Sequence, residues 1–151
     1  MNFFFDTSAL VKLFHEERGT EEVTELVEQH RGNLWCSALA QVELTSALYK
    51  KRRIGDLTKD QLSVALTGVN TELRRFHLEP VGEPVISEAI DLIRRYGASP
   101  GLRTLDALHL ASFHLIADSL WTMVASDNIL CRTARAESYN VVNPGAREDA
   151  S

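Results

Sequence analysis

Apolar residues recur along the chain with two different periods. Short apolar runs predict strands at 2–5, 33–37, 76–81, 120–126 and 139–144. Between them, apolar positions three and four residues apart predict helices at 8–17, 20–30, 38–53, 59–76, 83–96, 104–118 and 128–138. Thr58 and Gln61 have the spacing of a capping box, and Ser37 is placed to cap the helix that follows it. Gly55 and Gly97 stand just past two predicted helix ends.

Strands that alternate with helices throughout predict a three-layer α/β/α sandwich around a mostly parallel central sheet. We assign residues 1–144 to this single domain and residues 145–151 to a flexible C-terminal tail, because the last residues are polar and carry no apolar pattern. In sheets of this class, binding sites lie just beyond the carboxyl ends of the strands. The residues that follow each strand are therefore candidate site residues.

The composition is that of an ordinary globular protein of 151 residues, with 44% hydrophobic and 25% charged side chains. A net charge of −5 argues against binding nucleic acid through a broad positive surface, although a local basic patch is compatible with it. Cys36 and Cys131 form no CxxC pair, which predicts reduced, buried thiols. We expect a cytoplasmic protein without membrane contact, because no signal peptide or membrane-length apolar run is evident.

Four carboxylates stand beside strongly apolar sequence, where an unpaired charge is costly. Asp6 and Asp127 each close an apolar strand, so both are expected at the same edge of the sheet. Asp106 opens the buried helix at 104–118, and Glu43 lies in mid-helix on an apolar face. Each has an ordinary alternative: helix capping for Asp6 and Asp127, the helix dipole for Asp106, and a salt bridge or exposure to solvent for Glu43.

Taken together, the four carboxylates favour a metal site. Two unit charges about 5 Å apart repel by roughly 3 kcal/mol at an effective dielectric of about 20, so four would raise one another's pKa values. A hard divalent cation removes that repulsion, and oxygen ligands are preferred by Mg²⁺ or Mn²⁺. No His pair or Cys cluster predicts a zinc site. An all-carboxylate metal site points to phosphate chemistry.

The segments that carry these acids resemble a known family. "DTSALVKLF" with Glu16, "SALAQVELTSAL", "TLDALHLASF" and "VASDNILCRTARAESYNVVNP" occur in this order over nearly the whole chain. Together they resemble the PIN-domain ribonucleases, and most closely the VapC-type toxins of prokaryotic toxin–antitoxin pairs. Single pieces such as "DTSAL" are weak signals, whereas the four together at these separations are specific.

The resemblance implies a metal-dependent endoribonuclease that leaves 5′-phosphate and 3′-hydroxyl ends. It implies that Asp6, Glu43, Asp106 and Asp127 bind the metal, Mg²⁺ or Mn²⁺, and that the Ser8 hydroxyl lines the site. It also implies homodimers and inhibition by a small antitoxin protein whose tail enters the active-site groove. The alternative for Ser8 is a local turn or capping bond.

One position departs from the family pattern. The family usually has Thr or Ser two residues before the last acid, and here that residue is Ala125. Ser126 is a poor substitute, because neighbouring strand residues point to opposite faces. We expect the missing hydroxyl to tune activity without abolishing it, since all four carboxylates are present.

Several basic residues are candidates for contact with the RNA backbone: Lys12, Lys50, Arg52, Arg103 and Arg132. Lys50 and Arg52 belong to the run "KKRR" at a helix C-terminus, where favourable interaction with the helix dipole explains them equally well. Arg103 precedes Asp106 by three residues and is the best placed of the set. His109, one turn beyond Asp106, could contact the site, but the preferred interpretation is a packed core histidine.

Two other functions stay open at this point. A PIN-fold nuclease could process a defined RNA without any antitoxin. A PIN-fold protein could also bind RNA or act as a scaffold with little turnover, and Ala125 is the feature that favours this alternative. A response-regulator receiver domain and a haloacid-dehalogenase-type phosphatase share the fold class, but the acidic patterns that they need are not evident.

Overall fold

A five-stranded parallel sheet forms the centre of the structure, a computed structural model that describes residues 1–146. The strands are β1 (Phe3–Phe5), β2 (Leu34–Ser37), β3 (His77–Glu79), β4 (Thr122–Val124) and β5 (Asn140–Val142), in the spatial order β3-β2-β1-β4-β5. All four strand pairs are parallel. The predicted α/β/α sandwich is confirmed. The predicted tail lies mostly in residues 147–151, outside the described residues.

Seven α-helices connect the strands over the described range. They are α1 (Thr7–Leu10), α2 (Thr20–Gln29), α3 (Leu39–Arg53), α4 (Lys59–Leu73), α5 (Glu83–Tyr96), α6 (Thr104–Ile116) and α7 (Asn128–Ala136). The Thr58 hydroxyl accepts from the Gln61 N–H, and the Gln61 side chain accepts from the Thr58 N–H, so the predicted capping box is present. The Ser37 hydroxyl accepts from the Leu39 N–H at 3.1 Å at the start of α3.

The three consecutive phenylalanines of β1 are explained by the two faces of the sheet. Because strand side chains alternate, Phe3 and Phe5 join the core beneath α1–α4, whereas Phe4 joins the opposite core beneath α5–α7. Phe4 and Phe5 are fully buried. Helices cover both faces of this parallel sheet, so its central strand is apolar at every position.

The direction of strand addition reverses beside β1. From β1 the chain adds β2 and then β3 on one side, and it returns to place β4 on the other side of β1. Ligand sites in open parallel sheets lie at such a switch point, beyond the carboxyl ends of the two strands. Asp6 follows β1 and Asp127 follows β4 by three residues, so the topology brings both acids to this position.

The first predicted helix is shorter than expected. Instead of spanning residues 8–17, α1 ends at Leu10 and continues only as a 3₁₀ turn, Val11–Leu13. The Lys12 ammonium donates to the Arg18 carbonyl at 2.7 Å, which folds the following loop back onto the turn. A contact between one side chain and a carbonyl six residues further on cannot be predicted from the spacing of apolar residues.

Other sequence expectations are met in the described range. Cys36 and Cys131 are buried and unpaired. None of the helices is both long enough and apolar enough to cross a lipid bilayer. The connection at 97–102 contains no helix or strand, as predicted.

Two glycines bring distant backbone segments into contact. Gly19 has φ +94°, and a Cβ built there would lie 2.7 Å from the backbone C and O of Pro144. Gly145 has φ +78°, and its Cβ would lie 2.9 Å from backbone atoms of Arg18. The loop before α2 is therefore packed directly against the segment after β5.

We predict that Gly19→Ala destabilises the protein more than Gly32→Ala. Both glycines have positive φ, 94° and 87°, so an alanine costs about 1–2 kcal/mol in left-handed backbone strain at either position. Only at Gly19 does the new methyl group also meet backbone, since nothing lies within 4 Å at Gly32. Thermal denaturation should give the lower Tm for Gly19→Ala, and equal losses would contradict the close approach.

Candidate active site

Asp6 caps a helix and faces the switch point at the same time. Its Oδ2 accepts from the Ser8 N–H at 3.1 Å and from the Ser8 hydroxyl at 2.5 Å, which makes it the N-cap of α1. Its Oδ1 faces His109 Nε2 at 3.7 Å. The side chain is 4% exposed. One oxygen is therefore used by the backbone turn and the other remains for the site.

Asp127 repeats this arrangement at the end of β4. Its Oδ1 accepts from the Leu130 N–H at 2.9 Å and caps α7. Its Oδ2 lies 3.1 Å from Arg103 Nη2. The capping explanation is confirmed for Asp6 and Asp127, and because a carboxylate has two oxygens it is compatible with the predicted metal site.

Glu43 lies in the middle of α3 and is held by two side chains. The Thr7 hydroxyl donates to its Oε1 at 3.2 Å, and His109 Nε2 makes a short contact with the same oxygen. His109 is fully buried, as expected for a core histidine, but it also contacts the site. Burial alone would lower the pKa of His109, but the bond to Glu43 and the charges of Asp6, Glu43 and Asp106 raise it overall.

Asp106 lies in the first turn of α6, and its charge is the least compensated of the four. The pKa of its carboxyl is raised to about 6, first by burial and then by the negative charges of Asp6 and Asp127. Arg103 and His109 oppose this shift. Arg103 Nη2 lies 3.4 Å from Asp106 Oδ2. Burial is the larger cause of the raised pKa, and the charges of Asp6 and Asp127 add to it.

All four carboxylates line one groove, which we call the acidic groove. Its volume is about 380 Å³. The remaining lining residues are Thr7, Ser8, Val11, Ser46, Ala47, Lys50, Arg53, Arg103 and Leu105. Four separate segments of the chain, the ends of β1 and β4 and the helices α3 and α6, thus place acids around one space.

The donor set of the acidic groove fits a hard divalent cation. Carboxylate and hydroxyl oxygens are among its lining atoms, and a cation there would relieve the repulsion that Asp6 and Asp127 exert on Asp106. Within residues 1–146, no three Asp, Glu, His or Cys side chains already stand close enough to hold an ion. Glu43 contacts His109 instead, and Arg103 bridges Asp106 and Asp127. The Arg103 side chain is 70% exposed and free to rotate outward.

The predicted basic residues separate into two groups. Lys50 and Arg103 line the acidic groove, whereas Lys12, Arg52 and Arg132 do not. Lys12 is buried and lines a neighbouring pocket. Arg52 Nη1 donates to the Leu57 carbonyl at 3.5 Å, and Arg132 is exposed on α7.

Sequence reasoning missed Thr7, Ser46 and Arg53 among the lining residues. Helical spacing could have identified Arg53, because 43, 46, 50 and 53 follow one another at intervals of three and four on one face of α3. The same spacing predicts that Arg52, one residue earlier, faces away from the groove. No sequence signal distinguishes Thr7 as a partner of Glu43, which lies 36 residues away.

The Ser8 hydroxyl ties two loops together beside the groove. It donates to Asp6 and accepts from the Ser126 N–H at 2.9 Å. Ala125 is fully buried in the core under α5–α7. The Ser126 hydroxyl points away from the acidic groove, 3.5 Å from the Pro144 carbonyl, and so does not replace the missing hydroxyl at 125.

Comparison with known proteins identifies the family. A family model described as PIN domain matches residues 3–136. The chain belongs to the PIN-domain family. Ribonuclease VapC35 from Mycobacterium tuberculosis is 32% identical over 148 residues, which span 94% of this chain and 96% of VapC35. The predicted relationship to VapC-type ribonucleases is thereby confirmed.

Solved structures share the PIN fold. VapC20 from Mycobacterium tuberculosis, described as a sarcin-ricin loop cleaving toxin, has a TM-score of 0.68 at 17% identity, covering 95% of this chain and 100% of its own. A toxin–antitoxin complex from Klebsiella pneumoniae has a TM-score of 0.60 at 17% identity, covering 83% and 87%. At these identities the likeness concerns the fold alone.

We predict that Asp106 makes the metal-free protein less stable as pH rises from about 4 to 6. The ordinary pKa of 3.8 applies in the unfolded chain, and the folded value is about 6, so between these values the folded protein holds the extra proton. The free energy of unfolding therefore falls with rising pH across this window. Urea denaturation in EDTA should show Asp106→Asn gaining stability relative to the parent over the same range.

The matched control for this measurement is Asp91→Asn. Asp91 is exposed on α5 and does not line the acidic groove. Its stability difference from the parent should stay level from pH 4 to 6. A level difference for Asp106→Asn as well would show that the Asp106 carboxyl is not strained by its neighbours.

Proposed function

We propose that this chain is a metal-dependent endoribonuclease that hydrolyses RNA phosphodiester bonds and acts as the toxin of a toxin–antitoxin pair. The observation that carries the proposal is the convergence of Asp6, Glu43, Asp106 and Asp127, from four separate segments, on one groove at the switch point of the sheet. Membership of the PIN-domain family and the similarity to ribonuclease VapC35 support RNA hydrolysis as the reaction.

The four carboxylates would hold Mg²⁺ or Mn²⁺. When bound there, the ion would polarise the phosphoryl oxygens and lower the pKa of water. Ser8 fixes the orientation of Asp6, and Thr7 fixes that of Glu43. These hydroxyl donors keep the oxygens aimed into the groove before any substrate arrives.

The basic side chains of the acidic groove would position the phosphodiester. Lys50 and Arg53 follow Glu43 on the same face of α3, so they flank the carboxylates along the direction of that helix. Arg103 would release Asp106 and Asp127 when the cation binds and turn to the RNA backbone. Guanidinium groups suit this role because they pair with phosphate through two parallel hydrogen bonds.

We predict that Asp6→Asn abolishes RNA cleavage. The amide keeps a cap acceptor for α1 but removes a metal ligand, so the loss should exceed the roughly 10–100-fold effect typical of outer-shell partners. Gel-resolved cleavage of RNA with Mn²⁺ or Mg²⁺ measures this, and EDTA should abolish cleavage by the parent. Asp91→Asn, exposed on α5, removes the same charge elsewhere and should cleave at the parental rate. Parental activity of Asp6→Asn would refute the site.

A small antitoxin is the proposed protein partner, and cytoplasm is the proposed location, because RNA substrates and such partners meet there. A structural neighbour is a toxin–antitoxin complex, which supports this partner class. The homodimer is likewise proposed from the family resemblance, and sedimentation analysis tests it.

We predict that overexpression of the chain arrests growth and that Asp6→Asn does not. Coexpression of its small partner should restore growth and yield a copurifying complex. Unimpaired growth together with maturation of one defined RNA would instead identify a processing nuclease without an antitoxin.

A non-catalytic role is the second candidate, and Ala125 is the observation that favours it. The hydroxyl missing there is not replaced by Ser126, whose Oγ faces the Pro144 carbonyl. RNA binding without metal-dependent cleavage by the parent protein would decide for this candidate.

A further inference from the structure

A second polar pocket lies beside the acidic groove at the same edge of the sheet. It encloses about 610 Å³, and we call it the basic pocket. Its lining residues are Lys12, Arg18, Ser126, Asn128, Arg135, Asn143, Pro144, Gly145 and Ala146. Three of these are cationic and none is acidic, in a chain whose net charge is −5. The pocket is therefore locally positive in a protein whose net charge is negative.

The two arginines of the basic pocket form no ion pair with any acid in the part of the chain that the structure describes. Within residues 1–146, no carboxylate lies within 4 Å of the Arg18 or Arg135 guanidinium, since neither takes part in an ion pair there. Both side chains are exposed. Unpaired guanidinium groups that share a concave surface suit a phosphate or a carboxylate.

The lysine of the pocket, Lys12, is held in place by the Arg18 carbonyl and by Glu17. The Lys12 side chain is 11% exposed, and its ammonium donates to the Arg18 carbonyl at 2.7 Å. Glu17 lies 3.5 Å from Lys12 and 3.6 Å from Lys51, so one carboxylate is shared by two lysines. Positive charge therefore remains on the pocket side. The ion pair with Glu17 and the bond to the Arg18 carbonyl offset the cost of burying this ammonium and fix it in the pocket wall.

The pocket is preorganised by its backbone. Gly19 and Gly145 allow the Arg18 loop to pack against the segment after β5 without room for a Cβ at either position. The Asn143 amide donates to Asn128 Oδ1 at 3.3 Å, which leaves the amide nitrogen of Asn128 available as a donor. Glu22 accepts from the Gly145 N–H at 3.3 Å but does not line the pocket.

The position of the pocket relates it to the acidic groove. Ser126 and Asn128 line the basic pocket, whereas Asp127 between them lines the acidic groove. Consecutive Cα atoms are only about 3.8 Å apart, so the two spaces share this loop as a common wall. If one phosphate of an RNA strand lies at the carboxylates, a neighbouring phosphate of the same strand can reach the basic pocket on the other side of this loop.

We propose that the basic pocket binds a backbone phosphate of the RNA strand, next to the phosphodiester that is cleaved. This inference rests on the proposed ribonuclease function and adds a substrate subsite to it. The contacts involve the backbone alone, so the pocket strengthens binding without selecting bases. An acidic segment of a protein partner is the competing ligand.

The test is the variant Arg18→Gln/Arg135→Gln compared with Arg74→Gln. Arg74 is an exposed arginine just before β3, at the opposite edge of the sheet, with no ion pair among the described residues. Cleavage of the RNA that the parent cuts should show KM raised about tenfold or more with kcat unchanged, because the double variant removes hydrogen bonds to a charged phosphate. Arg74→Gln should match the parent.

Salt dependence supplies a readout that a structural defect would not produce. For single strands, the slope of log binding constant against log salt changes by about 0.7 for each phosphate that the protein no longer neutralises. Fluorescence anisotropy with a labelled single-stranded RNA should give this smaller slope for the double variant, equally for RNAs of different sequence. Thermal denaturation checks that the double variant is folded.

The outcomes separate the two proposals. If the parent cleaves RNA, and the double variant has the KM and salt slope of Arg74→Gln, the subsite is wrong and the ribonuclease function stands. If the double variant keeps its RNA binding but no longer binds the antitoxin, the pocket belongs to the protein partner and the inference is overturned. If the parent does not cleave but the double variant alone shows the smaller salt slope, the subsite stands without the nuclease.

Discussion

Four carboxylates lie close together at the carboxyl edge of the sheet, and their mutual repulsion constrains the side chains around them. Four carboxylates around about 380 Å³ repel one another, and the chain offsets this repulsion from two directions. From inside, the fully buried His109 contacts Glu43, and although burial lowers its pKa, the bond to Glu43 and the charges of Asp6 and Asp106 raise it overall. Arg103 offsets the repulsion from outside, with a side chain that is 70% exposed. A divalent cation would therefore displace Arg103 and leave His109, because only Arg103 has solvent to enter.

Helix capping is the device that places two of these acids. The strands β1 and β4 are each three residues long, and a helix begins within a few residues of each strand end. A carboxylate at the turn caps the helix with one oxygen and points the other into the groove. The orientation of Asp6 and Asp127 is consequently fixed by backbone N–H groups that the fold must satisfy in any case. The structural role of these two acids thus coincides with the role proposed for them in the site.

The sequence was sufficient for the layers of the fold and for the convergence of the four acids, whose metal-binding role stays a prediction, but not for the side chains that contact them. The triple phenylalanine predicts a strand buried on both faces, and alternation along the chain predicts the parallel sheet. The short α1 was not predicted, because the apolar pattern continues past Leu10 while the chain turns into a 3₁₀ segment and Lys12 bonds to the Arg18 carbonyl. The same contact draws Lys12 away from the acidic groove. For His109 the core interpretation was preferred to contact with the site, and both hold, since burial and contact with a site leave the same apolar pattern in sequence.

Ser8 offers a physical reason why Ala125 can be tolerated. A hydroxyl two residues before the last acid would steady the loop that carries Asp127. In this chain the Ser8 hydroxyl, in the first turn of α1, accepts from the Ser126 N–H at 2.9 Å and donates to Asp6. One hydroxyl thus links the residue before Asp127 directly to the first acid. Because this link comes from α1, a hydroxyl at 125 is not needed to tie the loop of Asp127 to Asp6, and position 125 holds a small apolar residue packed in the core.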